Sequence, residues 1–107
     1  MLDEKLYKEH YETILHMTRD LGIDSTDDFL RQELSSVSKE VAVLREKILE
    51  MRNTLNRETN MDELRHLQYD LEDAQVLLDN LLYKLKTTDE KYLCFKEYLR
   101  RSPKEIE

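Results

Sequence analysis

Few side chains in this sequence stand in a pattern that supports metal or acid–base chemistry. Glu63-Leu64-Arg65-His66 matches the Glu-x-x-His element with which helical bundles hold two metal ions. Such a centre needs two copies of the element and two further carboxylates that face inward. The sequence has one copy, and the nearest other combination, Glu12 with His16, has the wrong spacing. We therefore predict a surface histidine at position 66, and neither a metal nor any other cofactor.

The remaining histidines and the single cysteine do not form a catalytic group. His10 and His16 are six residues apart, so they fall on different faces of a helix and cannot bind zinc as a local pair. Cys94 lies among apolar residues with no base or oxyanion loop beside it, and we expect a buried thiol that packs as a small apolar residue. Catalysis needs groups held around a concavity. One glycine and one proline leave few loops to build one, so we predict no catalytic residues and no enzyme.

Ser102 is the one residue whose surroundings suggest covalent modification. The segment Arg100-Arg101-Ser102-Pro103 resembles a basic, proline-directed phosphorylation site at the end of a helix. A phosphate there would oppose the helix dipole but would pair with the two arginines. Pro103 alone also explains the segment, because the residue before a proline is pushed out of the helical conformation. Ser102 is thus a candidate phosphosite, with a simple helix stop as the alternative.

The composition favours long amphipathic helices. Charged residues make up 38% of the chain and hydrophobic residues 39%, against about 25% charged residues in an ordinary globular domain. The net charge of -7 disfavours direct binding to nucleic acid. No apolar run approaches the ~18 residues of a membrane span, and the N-terminus carries no signal-like apolar segment. A lone cysteine permits no intrachain disulfide and suits a reducing compartment, so we expect an intracellular protein, cytoplasmic or nuclear.

Residues 1–22 predict an N-terminal amphipathic helix that runs from about Asp3 to Leu21. Its apolar face recurs at spacings of three and four through Tyr7, Tyr11, Ile14, Thr18 and Leu21. Gly22 then ends the helix, because glycine enters the left-handed cap conformation at low cost. We expect Asp24 or Ser25 to cap the helix that follows.

Two unbroken heptad repeats follow, and sustained heptads are typical of coiled coils. The second helix carries Leu30, Leu34, Val37, Val41, Leu44, Ile48, Met51 and Leu55, and the third carries Leu64, Leu67, Leu71, Ala74, Leu78, Leu81, Leu85, Thr88, Tyr92, Phe95 and Leu99. Asn60 followed by Glu63 resembles a capping box at the start of the third helix. That helix should end at about Arg101, which leaves residues 102–107 as a short polar tail.

The two repeats do not share a phase, which predicts a chain reversal between them. Leu55 and Leu64 would be equivalent positions, yet they are nine residues apart where seven would continue the repeat. A turn near residues 56–60 would fold residues 25–101 into an antiparallel hairpin. Positions whose numbers sum to 115 then face one another, as Leu44 faces Leu71, and every layer of the seam is apolar.

The charges beside the seam support this register. They would bring together oppositely charged side chains in three pairs: Lys47 with Asp70, Glu33 with Lys84, and Arg31 with Asp89. Each exposed pair contributes only ~0.2–1 kcal/mol, so the pairs select a register rather than supply stability. The predicted fold class is therefore all-α: a coiled-coil hairpin with an additional N-terminal helix, in a three-helix or an intermolecular bundle.

Part of the third helix has no partner in this register, and its apolar residues need a cover. It extends beyond the second helix from about Glu90, and the apolar face also widens beside the seam. The candidate partner-binding residues are Leu77, Leu82, Tyr92, Phe95, Tyr98 and Leu99. Soluble monomers rarely expose a contiguous apolar patch, so the first helix, a second copy or another protein must cover it.

These observations lead to two expectations about function. The first is a structural or scaffolding subunit that binds helices of partner proteins within a larger complex. The alternative is a self-contained homodimer, a four-helix bundle of two hairpins that serves as an oligomerisation or spacer module. A membrane-surface role is weaker, because the polar face of the first helix is acidic.

Overall fold

The computed structural model describes residues 2–101, which form three α-helices and no strand. The helices are α1 (Glu4–Leu21), α2 (Ile23–Arg57) and α3 (Met61–Arg101). The predicted all-α class is confirmed. The described chain divides into two compact units: a three-helix unit, residues 2–35 with 85–101, and a two-helix unit, Ser36–Lys84. Helices α2 and α3 contribute to both units, and α1 belongs to the first.

Helix α1 has a cap at each end. The Asp3 carboxylate accepts a hydrogen bond from the backbone N–H of Lys5 at 3.2 Å, and the N–H of Gly22 donates to the carbonyl of Thr18 at 3.0 Å. Gly22 ends the helix as expected, but its backbone differs from the predicted left-handed cap. With φ 85° and ψ 168° it occupies a region that residues with a side chain enter only under strain.

Helix α2 begins earlier than the sequence suggested, at Ile23, immediately after Gly22. Asp24 lies inside its first turn, where the helix dipole favours a negative charge, and neither it nor Ser25 is the cap. Thr26, which is fully buried, joins the two helices instead. Its hydroxyl lies 2.7 Å from the carbonyl oxygen of Gly22 and 3.1 Å from that of Met17. Apolar periodicity carries no signal for a hydroxyl that links two helices in this way.

The turn between α2 and α3 consists of residues 58–60. The Asn60 side chain accepts hydrogen bonds from the backbone N–H groups of Asp62 at 2.9 Å and Glu63 at 3.3 Å, so its predicted capping role is confirmed. In a capping box, the side chain three residues on accepts a hydrogen bond from the backbone N–H of the capping residue, but here a different residue does so. The N–H of Asn60 donates to the carboxylate of Glu58 at 3.0 Å, so Glu58 has the role that was predicted for Glu63.

The core of the three-helix unit is built from all three helices. Its buried cluster comprises Tyr7, Ile14, Leu30, Cys94, Phe95 and Tyr98. The buried face of α1 passes through Tyr7, His10 and Ile14. Tyr11 and Leu21, which the sequence placed on that face, are 37% and 49% exposed. The predicted stripe was therefore right at Tyr7 and Ile14, but it left out His10, a polar residue that is 8% exposed.

In the two-helix unit, burial recurs at spacings of three and four along α2. Val37, Val41 and Ile48 are buried, and Leu44 and Met51 are half-buried. Between residues 61 and 84, by contrast, α3 has no buried residue. Its seam positions are only half-buried: Leu64, Leu67, Leu71, Ala74, Leu78 and Leu81. Two helices that pack along one line cannot enclose the side chains beside that line.

Substitution of Gly22 tests the junction between α1 and α2. A Cβ added at this position meets no atom within 4 Å, so the substitution Gly22→Ala introduces no clash. The positive φ nevertheless strains any L-residue, and we expect a loss of about 1–3 kcal/mol in the free energy of unfolding. Urea denaturation measures this loss. D-alanine at position 22, placed by chemical ligation, is the control and should retain wild-type stability; equal losses for both would contradict the backbone explanation.

Candidate functional site

An apolar groove on the two-helix unit is the strongest candidate for a functional site. It has a volume of about 430 Å³ and is lined by Lys39, Glu40, Val43, Leu44 and Lys47 of α2 and by Leu77 and Leu81 of α3. Val43 is 58% exposed and Leu77 is 51% exposed, so two large apolar side chains face solvent there. We call this site the Val43–Leu77 groove. The floor of the groove suits the burial of apolar side chains from another protein, because Val43, Leu44, Leu77 and Leu81 are all apolar.

The sequence identified one side of this groove and missed the other. Leu77 was a candidate partner-binding residue, whereas Val43 stands outside the heptad positions and was not considered. A signal was available, because Val41, Ala42, Val43 and Leu44 are four consecutive apolar residues, a run wider than a heptad seam requires. Leu82, the other candidate in this unit, is half-buried and does not line the groove.

The two lysines that line the groove, Lys39 and Lys47, form no ion pair with another described residue. None of the ion pairs closer than 4.0 Å among residues 2–101 involves Lys39, Lys47, Asp70 or Asp73. The predicted Lys47–Asp70 pair is therefore not formed at that distance. The groove combines an apolar floor with charged residues that are open to interaction.

The aromatic part of α3 is covered, in contrast to the expected overhang beyond Glu90. Phe95 is 1% exposed and Tyr98 is 8% exposed, and both pack in the core of the three-helix unit with α1. Tyr92 and Leu99 are half-buried beside them. The sequence allowed the first helix, a second copy or another protein to cover these residues, and in the structure the first helix does so. These four residues do not form an exposed surface while α1 is in place.

Tyr92 also contacts the start of α2. Its hydroxyl donates to the carboxylate of Asp27 at 2.9 Å and accepts from the guanidinium of Arg31 at 2.8 Å, while Arg31 and Asp27 form an ion pair at 3.0 Å. Arg31 therefore pairs within its own helix, and not with Asp89 as the sequence suggested. Because α2 begins at Ile23, its first turns lie alongside the segment of α3 that was expected to lack a partner.

Arg101 joins the ends of α1 and α3. Its guanidinium lies 4.1 Å from the centre of the Tyr7 ring, contacts the Glu4 carboxylate, and donates to the Glu97 carboxylate at 2.9 Å. Hydrogen bonds from Arg100 and Arg101 lower the pKa of Glu97 from 4.5 to about 2. Ser102, the candidate phosphosite, lies outside the described residues.

The other reactive groups occupy sites that suit structural roles. The Cys94 thiol is buried with its sulfur 3.6 Å from the carbonyl oxygen of Leu6, and burial raises its pKa to about 11. A thiol with that pKa is protonated at neutral pH and is a poor nucleophile. Glu63 and His66 are exposed on α3. Within residues 2–101, no three histidine, cysteine or acidic side chains are grouped as a metal ion would require.

Comparisons with known proteins do not add to this geometry. No protein-family model, curated protein or solved structure matches the chain. None of the helices in residues 2–101 combines the length and the apolar character needed to cross a membrane. The interpretation of the site therefore depends on its own residues.

Truncation of Phe95 tests whether this side chain belongs to a core. We expect Phe95→Ala to lower the free energy of unfolding by about 3–5 kcal/mol. Phe95 is fully buried, and removal of its ring leaves a cavity that the helices cannot fill. Leu93→Ala is the matched control, since Leu93 lies two residues away on α3 and is 44% exposed. Chemical denaturation compares the two variants. Similar small losses for both would contradict the packing of α1 against α3.

The lowered pKa of Glu97 predicts how stability changes with pH. A carboxyl whose pKa is lower in the folded state stabilises the fold above its unfolded pKa, and this contribution disappears as the pH falls through the folded value. The contribution of Glu97 should therefore be complete above about pH 4.5 and be lost by about pH 2. Melting temperatures across this range, measured for wild type and Glu97→Gln, should converge at low pH. Parallel curves would show that the arginine contacts do not persist in solution.

Proposed function

We propose that this chain is a non-catalytic structural subunit that binds protein helices through the Val43–Leu77 groove. The observation that carries the proposal is that two large apolar side chains of the groove, Val43 and Leu77, are more than half exposed to solvent. An amphipathic helix that inserts its apolar face between two helices would cover these residues, as in other helix-in-groove complexes. Soluble proteins rarely leave such surfaces uncovered, which supports an assembly as the working state.

A coiled-coil register for the two-helix unit is part of the same proposal. Leu44, Leu77 and Leu81 line one groove although they come from different helices, which supports an antiparallel pairing of α2 with α3. The half-buried seam positions of α3 support two-stranded packing. Because α2 ends at Arg57 and α3 begins at Met61, the helix ends favour a register in which level positions sum to about 118, and not the 115 expected from the sequence. In such a pair the positions next to the seam stay open, and bundles of three or four helices arise when another helix packs there.

The proposal includes no catalysis and places the protein inside the cell. The polar groups that line the groove are Lys39, Glu40 and Lys47, all at its rim, and they include no nucleophile with a neighbouring base. The one cysteine is buried and carries a raised pKa, which supports a structural thiol of the kind kept reduced in cytoplasm or nucleus.

The test compares variants of the groove with a variant outside it. The chain is expressed with a tag in the cells that naturally produce it and is cross-linked before lysis. Val43→Lys combined with Leu77→Lys introduces two charges into the groove. Leu49→Lys is the matched control, because Leu49 lies on the same helix and is, like Val43, 58% exposed, but does not line the groove.

We expect wild type and Leu49→Lys to recover the same helical chains in fixed proportion, whether other proteins or additional copies of this one. The groove variant should lose them while its circular dichroism spectrum stays helical, since its substitutions lie at exposed positions. Recovery of the same chains by the groove variant would remove the groove as the binding site. Recovery of a lone monomer by wild type would remove the proposed function altogether.

A further inference from the structure

Four charged side chains form one cluster where the start of α1 meets the end of α3. The Arg101 guanidinium contacts the carboxylate of Glu4 and donates to that of Glu97 at 2.9 Å, and Arg100 contacts Glu97 as well. We call these four residues the terminal charge cluster. The pKa of Glu97, lowered to about 2 by the two arginines, keeps this carboxylate charged at neutral pH. Two positive and two negative charges then balance, and any additional charge beside them would disturb the balance.

Within this cluster, Arg101 is the residue that joins the two helices. Its guanidinium carbon also lies 4.1 Å from the centre of the Tyr7 ring, a distance typical of cation–π contacts. None of the other ion pairs among residues 2–101 involves Glu4. A hydrogen bond from Arg101 and, to a smaller extent, the charge of Lys8 lower the pKa of Glu4. Without Arg101, Glu4 would therefore keep a cation on its own helix but none on α3.

The first turns of α1, which Arg101 holds, take part in covering an aromatic side chain of α3. Tyr7 is 7% exposed and its ring lies 5.7 Å from that of Tyr11, centre to centre. The Tyr11 ring in turn lies 6.1 Å from the ring of Tyr98, which is 8% exposed. If the first turns of α1 loosened, Tyr7 and Tyr98 would both gain access to water.

The residue that follows the cluster in the sequence carries a hydroxyl that a kinase could modify. Ser102 comes directly after Arg101 and directly before Pro103, in the basic, proline-directed pattern noted above. Although Ser102 lies outside the described residues, covalent geometry limits its distance from Arg101. Consecutive Cα atoms are about 3.8 Å apart across a trans peptide bond, and an arginine side chain is longer than this distance. A phosphate on Ser102 is therefore within reach of the Arg101 guanidinium.

We propose that Ser102 is a phosphorylation site, and that its phosphate loosens the first turns of α1 by drawing Arg101 away from Glu4 and Tyr7. The co-reactants are ATP and a proline-directed protein kinase. The hydroxyl oxygen of Ser102 forms a bond to the γ-phosphorus of ATP, and the bond from that phosphorus to the bridging oxygen of ADP breaks. ADP leaves with the bonding electron pair, and the hydroxyl proton passes to a base of the kinase. The site is independent of the Val43–Leu77 groove.

The charges of the cluster explain why α1 is the element that loosens. A phosphoserine adds a charge of about −1.5 to −2 at pH 7 and three acceptor oxygens, and arginine binds phosphate through paired hydrogen bonds. The neutral cluster thereby becomes negative, which disfavours the approach of Glu4. This carboxylate is 59% exposed and belongs to the other helix, so it separates from the cluster more easily than a residue of α3. Lys104 and Glu105, the next charged residues in the sequence, offset each other.

Hydrogen exchange on a chain that carries the phosphate is the first test. Cys94 is the one cysteine in the sequence, so a synthetic peptide of residues 94–107 with phosphoserine at position 102 can be ligated there without altering any other residue. We expect the backbone amides of residues 7–11 to exchange about five- to thirtyfold faster than in the unmodified chain. The amides of residues 41–48, in the two-helix unit, should be unaffected. Unchanged exchange at residues 7–11 would overturn the proposed effect of the phosphate.

The variant Arg101→Gln separates the proposed mechanism from a general effect at the end of α3. A negative charge at a helix C-terminus opposes the helix dipole whatever residue occupies position 101. Without the Arg101 guanidinium, however, the phosphate has no contact between α1 and α3 to disrupt. The unmodified variant should already exchange faster than wild type at residues 7–11, and phosphoserine should add less than about twofold. If the phosphate accelerated exchange equally in the variant and in wild type, the role of Arg101 would be overturned.

Mass spectrometry of the chain from the cells that naturally produce it tests whether the modification occurs. The full chain is recovered in the presence of phosphatase inhibitors from growing, arrested and stressed cells. We expect phosphate on Ser102 of wild type and none on Ser102 of a Pro103→Ala variant, because a proline-directed kinase requires that proline. An unmodified Ser102 in wild type under all three conditions would overturn the site. Equal phosphorylation of the Pro103→Ala variant would overturn the class of kinase.

Discussion

The fold of this chain depends on how little apolar surface a pair of helices can bury. Two helices in contact share a single line of side chains, and the residues beside that line stay half-exposed unless a third element covers them. In the three-helix unit α1 provides that cover, and Ile14, Leu30 and Phe95 reach 0–1% exposure. In the two-helix unit the described chain supplies no such element. The difference in burial between the units thus follows from the number of helices that each contains.

Apolar periodicity predicted much of the secondary structure from sequence. The spacing of Tyr7 and Ile14, the phase break between Leu55 and Leu64, and the capping side chain of Asn60 all act within a few residues of one another. Such local signals are visible without a structure. The details that were wrong involve polar groups whose partners are set by packing: His10 inside the core, Thr26 between two helices, and Glu58 in place of Glu63.

The candidate site was harder to predict, because exposure depends on tertiary contacts. Phe95 and Tyr98 have the residue types of interface anchors, but the same types build cores. Only the packing of α1 decides between these roles, and α1 is joined to α2 through one glycine whose unusual backbone no periodicity reveals. Leu77 could be found because an apolar residue beside a seam is a local signal. Val43 carried the same signal, but it lies between the heptad residues Val41 and Leu44 and was taken as part of their seam.

The covalent link between α1 and α2 also explains why we propose the groove, and not the aromatic cluster, as the binding surface. A helix from another protein that sought to replace α1 would compete with a segment tethered next to its own site. Such a tether acts like a local concentration of about millimolar or more, which a competitor at cellular concentration must overcome by much tighter contacts. Arg101 adds further contacts, to Tyr7 and Glu4, that a competing helix would have to match. At the Val43–Leu77 groove no described segment of the chain lies over the exposed side chains, so a partner there meets no competing helix among them.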